Sequence, residues 1–149
     1  MLGIPGDDLT WEDHLQETVG YFSSGFETLI RASSWIEGTS HLMLSDLYSV
    51  LSPGHRGALG FSEVSGIERS GRIDQLLNDG AGSLRRQGVN LGDASQIVAI
   101  LSGARSFTRS EVRNLNVELQ RMCGRRARIS FGTSMITVPP DELHLTLIV

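Results

Sequence analysis

Ser95-Gln-Ile-Val-Ala-Ile-Leu-Ser-Gly103 carries five consecutive apolar residues, Ile97 to Leu101, closed by Ser-Gly. A short apolar run bounded by turn formers reads as a strand buried on both faces. Thr108-Arg-Ser-Glu111 follows almost at once. This is a capping box: the Thr hydroxyl can accept from the backbone N–H three residues on, and the Glu carboxylate can reach back. Val112, Leu115, Leu119 and Met122 then recur at spacings of three and four, so a helix here lays one apolar stripe on the sheet.

Period-two patterns supply the neighbouring strands. Ala127, Ile129 and Phe131 alternate with Arg128, Ser130 and Gly132, and beyond Pro139-Pro140-Asp-Glu142 the residues Leu143, Leu145, Leu147 and Val149 alternate with His144 and Thr146. Upstream, Thr10 can cap a long amphipathic helix over residues 10–31, striped by Trp11, Leu15, Val19, Phe22, Phe26 and Leu29 after an acidic lead-in over 1–9. Ser45-Asp-Leu-Tyr-Ser-Val-Leu51 reads as a short helix stopped by Pro53-Gly54, and the loop Gly38-Thr-Ser-His-Leu-Met-Leu44 enters its N-terminus. Residues 57–64 read as a strand weakened by Gly60, and 66–77 as a helix with Ile73, Leu76 and Leu77 inward. Gly80-Ala-Gly-Ser83 reads as the opening of a polar loop that runs to about Asp93. The expectation is a single α/β domain, a two-layer sandwich in which helices pack on one mixed sheet of about four strands.

With 149 residues the chain is long enough to bury roughly 70% of its unfolded surface. The net charge of −4 gives no sign of a nucleic-acid surface. All thirteen basic residues are arginine. One cysteine, Cys123, excludes an internal disulfide and a thiolate cluster. No apolar run approaches a membrane span, and the N-terminus lacks the pattern of a signal peptide, so a cytoplasmic protein is expected.

These residues together resemble a known family. Phe131-Gly-Thr-Ser134, then Asp141-Glu-Leu143 and a closing alternating strand, is similar to the end of the C-terminal domain of FtsZ, the bacterial tubulin-like cell-division GTPase. Gly60, Ser65-Gly66 and Arg69 resemble that domain's glycine-bearing strand and the turn into its next helix. Ile97 to Gly103 followed by Glu111-Val112 is similar to its apolar strand and helix, and Phe26 to Ile30 to the end of the helix before its catalytic loop. The resemblance implies a tubulin-like C-terminal domain without the glycine-rich nucleotide domain, since Gly80-Ala-Gly82 is a lone Gly-x-Gly that reads as a loop.

In the family, the loop after the first helix contributes an Asn and two Asp residues to the neighbouring subunit's nucleotide site. At the matching positions this sequence has His41, Met43 and Asp46, and only Asp46 keeps its type. Water activation for phosphoryl transfer needs polar groups at the attacking water and the metal, and a thioether supplies neither. The resemblance therefore implies no catalytic residues and no cofactor. It implies an interaction or assembly domain that contacts a second copy, or an FtsZ-like GTPase domain, through Leu42, Met43, Leu44 and Asp46. Two other readings stand beside it: a piece of a longer active GTPase, and a trimeric small-molecule enzyme resembling bacterial chorismate mutase.

Arg121, Arg125, Arg126 and Arg128 suit the negative end of a helix dipole, and the cluster is also a candidate for docking an acidic surface, such as the acidic stretch Asp7 to Glu17 of another copy, with Arg121, Arg125 and Arg126 as its interaction residues. His14, His41, His55 and His144 lack zinc-ligand spacing, so no metal is expected and each reads as a surface or turn residue. Cys123 reads as a buried, inert thiol, and Gly124 after it as a left-handed helix terminator.

Overall fold

The computed structural model describes residues 42, 44–50, 57–66, 69–104 and 107–149. The expected acidic lead-in and the helix over 10–31 lie outside these residues. In order, the elements are α1 (Leu44–Val50), β1 (Leu59–Val64), α2 (Arg69–Arg86), a 3-10 turn (Leu91–Asp93), β2 (Gln96–Gly103), α3 (Arg109–Met122), β3 (Arg128–Met135) and β4 (Leu143–Ile148).

The strands form one mixed sheet in the order β1-β4-β2-β3. β4 lies antiparallel to both β1 and β2, while β2 and β3 are parallel and joined through α3. This is the mixed four-stranded α/β architecture expected from the pattern. The apolar run of β2 is buried throughout: Ile97, Ala99 and Leu101 point to the helices, Val98 and Ile100 to the far side. Leu143, Leu145 and Leu147 of β4 join the helix-side core, where they meet Leu76, Leu84, Leu115 and Leu119. Leu42 and Val50 pack on the far face with Val98, Ile100 and Ile148.

The expected loop from Gly80 is instead helix. α2 continues to Arg86, and Ala81 and Leu84 are buried along with Ile73, Leu76 and Leu77. Those positions keep the spacing of three and four, so the stripe runs through the glycines. Gly80 and Gly60 are where α2 lies hard on β1. A Cβ on Gly60 would fall 2.9 Å from the Gly80 carbonyl oxygen and 2.7 Å from Leu84 Cγ. The glycines allow close approach of helix and strand, and the burial obtained outweighs their helix-propensity cost of about 1 kcal/mol each.

α3 starts as its capping box requires. The Glu111 N–H donates to Thr108 Oγ1 at 3.3 Å, and the Thr108 N–H donates to Glu111 Oε2 at 2.7 Å. At its other end Cys123 is extended, and Gly124 is not left-handed; among the described residues only Gly66 and Gly88 have positive φ. Gly124 is needed for space, because a Cβ there would lie 2.8 Å from the Gly92 carbonyl oxygen.

Candidate functional site

Leu42, two residues before α1, packs on the far face of the sheet. This residue is 4% exposed, and its side chain fills the place a Cβ on Gly132 would take, 2.7 Å from Leu42 Cγ. Leu42, expected to be a contact residue, is therefore a core residue: an aliphatic side chain beside a glycine in β3 gains more from burial than from exposure. His41 and Met43 lie outside the described residues. Leu44 begins α1, and Asp46 sits half-buried in its first turn, with its carbonyl accepting from Ser49 Oγ at 2.8 Å. Two residues on, Tyr48 is 72% exposed, so α1 carries a large aromatic ring on its outer side.

The turn before β4 is tied to the turn after β1. Gly66 takes φ +65°, which only glycine adopts without strain, and its N–H donates to Asp141 Oδ2 at 3.0 Å. Two stretches 75 residues apart in sequence thus meet at one end of the sheet. His144, read from sequence as a surface or turn residue, is half-buried within β4. Its Nε2 lies 2.6 Å from Glu142 Oε1, and its ring meets Phe61 edge-on with centroids 5.5 Å apart.

Between α2 and α3, Arg72 Nε donates to Glu111 Oε1 at 2.5 Å, with the two side chains 3% and 7% exposed. Burial works against ionisation of Glu111. The hydrogen bonds from Arg72 and Thr108, together with the Arg72 charge, outweigh it and hold the carboxyl below its ordinary value of 4.5. Spacing gave no hint of this pair, because its members are 39 residues apart. Cys123 is buried as expected, and desolvation pushes its thiol up to about 11, so it has little thiolate at neutral pH.

A groove of about 350 Å³ opens between the end of α1 and the start of β2, lined by Ser49, Asn90, Asp93, Gln96 and Val149 among others. Asn90 Oδ1 already accepts from the Gly92 N–H, and Gln96 donates to Ser49 Oγ, so the polar lining is largely engaged with the chain itself. Ser102, Ser134 and Thr146 are buried on the Leu42 side of the sheet, and their hydroxyls have no hydrogen-bond partner among the described residues. Among the described residues no three His, Cys, Asp or Glu side chains gather as a metal would require, and no helix is long and apolar enough to cross a membrane. Arg121 is exposed and paired with Glu118 at 2.5 Å; Arg125 and Arg126 are exposed in the turn after α3.

A β1-β4-β2-β3 sheet, two helices on one face and a short helix preceded by the core residue Leu42 on the other define a tubulin-like C-terminal domain fold. Solved structures of FtsZ and CetZ share it. A tryptophan-to-tyrosine mutant of FtsZ from M. jannaschii superposes with TM-score 0.77 at 14% identity, covering 97% of this chain and 42% of that one. CetZ2 from Haloferax volcanii, solved as a GTPγS-bound protofilament, gives 0.63 at 12% identity over 97% of this chain and 42% of its own. CetZ from Methanosaeta thermophila gives 0.63 at 21% identity over 98% and 39%. The chain thus spans about two fifths of the length of these neighbours. No family model matches the sequence, and no curated protein matches it.

Proposed function

We propose that this chain is a non-catalytic, cytoplasmic protein-interaction domain that assembles with a second copy or with an FtsZ-like GTPase domain, in cell division or a related filament system. The observation that carries this reading is the short helix α1. It begins at Leu44, within the stretch 38–46 that the family resemblance marks as a contact surface, and it turns Tyr48 outward at 72% exposure. Exposed tyrosines are common anchors of protein interfaces. Supporting evidence comes from neighbours solved as an FtsZ dimer and a CetZ2 protofilament. Loss of hydrolysis follows from the sequence: Met43 replaces a carboxylate at the water-activating position implied by the family resemblance, and His41 replaces an amide.

The test is co-sedimentation of the purified chain with FtsZ-type filaments, alongside a GTP turnover assay. Co-sedimentation that Met43→Asp and Tyr48→Ala each weaken supports the proposal. Measurable GTP turnover by the chain, or binding indifferent to both substitutions, overturns it.

A further inference from the structure

Both α2 and α3 leave the sheet at one end and return to the other. β1 and β2 are each antiparallel to β4, so they run the same way, and β3 runs with them. The C-terminal ends of the two helices therefore arrive at one pole, where β2 and β3 begin. The 3-10 turn Leu91–Asp93 sits between them: a Cβ on Gly124 would touch the Gly92 carbonyl, and one on Gly92 would lie 3.8 Å from the Met122 carbonyl oxygen. The Arg128 N–H, at the start of β3, donates to the Ser95 carbonyl at 2.9 Å.

Among the described residues six arginines share this pole: Arg85, Arg86, Arg121, Arg125, Arg126 and Arg128, all exposed. Sequence spacing had separated the first two from the rest by a supposed loop, and the continuation of α2 to Arg86 brings them together. Among the described residues the carboxylates nearby are Asp93 and Glu118, the latter already paired with Arg121; Asp79 lies about two turns back along α2. Two helix C-termini together present about one negative charge. That leaves a cationic pole on a chain whose net charge is −4.

We infer that this arginine pole docks the acidic stretch over residues 7–17 of a second copy. Those eleven residues hold Asp7, Asp8, Glu12, Asp13 and Glu17 and no arginine. A nucleic acid fits less well. Among the described residues the exposed large apolar side chains are Tyr48 and Val117, and Tyr48 alone of them is aromatic, short of the row of rings on which successive bases stack. The overall negative charge also repels a long polyanion. The contact so inferred uses none of residues 38–46.

The experiment is sedimentation equilibrium of the full chain. Exposed ion pairs contribute roughly two- to fivefold each in affinity, so Arg125→Glu with Arg126→Glu weakens self-association by about tenfold or more. Asp7→Arg with Asp8→Arg has the same effect, and mixing the two variants restores association through the swapped charges. Raising salt from about 50 mM to about 500 mM shortens the screening length from about 14 Å to about 4 Å and weakens the wild-type contact to a similar degree. Thermal melts of both variants should match the wild type, since the arginines are exposed. A monomer at all concentrations overturns the inference, as does association indifferent to salt or to either charge reversal. So does an oligonucleotide bound by the arginines of a chain that does not self-associate.

Discussion

Arg72 on α2 and Glu111 on α3 meet at 2.5 Å in a place where both side chains are almost wholly buried, and Glu111 also closes the capping box of its own helix. One carboxylate thus fixes where α3 begins and how it sits against α2. Glu111→Gln keeps the capping geometry but removes the negative charge that Arg72 Nε meets, at a cost of about 1–3 kcal/mol in urea unfolding.

The same carboxyl makes the cost depend on pH. Its folded value lies below the ordinary 4.5, so its contribution is fully present above that value and is lost as pH falls through the folded one. The difference in urea midpoint between wild type and Glu111→Gln is expected to be constant near neutrality and to shrink in acid. A difference that grows in acid would show the sign to be wrong.

Two nearby glycines should respond in opposite directions. Gly82 lies within α2, where an added Cβ meets nothing nearer than the flexible ends of Arg85 and Arg86 at 3.9 Å, so Gly82→Ala stabilises by up to about 1 kcal/mol. Gly60→Ala drives a methyl to 2.9 Å from the Gly80 carbonyl and costs about 1–3 kcal/mol. Thermal melts of the two variants compare the signs directly.

Leu42 and Gly132 form a matched pair. Leu42→Ala costs about 2–5 kcal/mol through the cavity it leaves. Gly132→Ala is also destabilising, because its methyl falls 2.7 Å from Leu42 Cγ. Together the two substitutions should cost less than their sum, since each relieves the other's misfit. A double-mutant cycle measured by denaturant unfolding reads the coupling.

Thr146 is 1% exposed and its hydroxyl has no partner among the described residues. Thr146→Val keeps the shape, removes the unsatisfied group and should raise stability by about 1 kcal/mol. A fall in denaturation midpoint would show that the hydroxyl is hydrogen-bonded in solution.

Much of this fold could be read locally. The apolar run of β2, the alternation of β4 and the Thr108–Glu111 box each contain their own signal within a few residues, and each appears where it was expected. What escaped depends on distant partners. Gly80-Ala-Gly82 resembles a break until β1 is placed against it, although Ala81 and Leu84 already continued the stripe from Ile73. Leu42 looked like part of a sticky loop because nothing local announces that Gly132 leaves room for it. Gly124 looked like a left-handed terminator because the Gly92 carbonyl that crowds it is 32 residues away. The arginine pole was half visible, since its second half belongs to a helix that composition had ended too soon.

The position of β4 constrains how the chain can be made. β1 borders no strand but β4 within the described sheet, so while residues 143–148 are still inside the ribosome it has no neighbour to zip to. The sheet therefore closes in a late, concerted step after synthesis has passed β3. A nascent chain stalled before Leu143 would expose β1 and one edge of β2, which makes the unfinished polypeptide a natural client for holding chaperones.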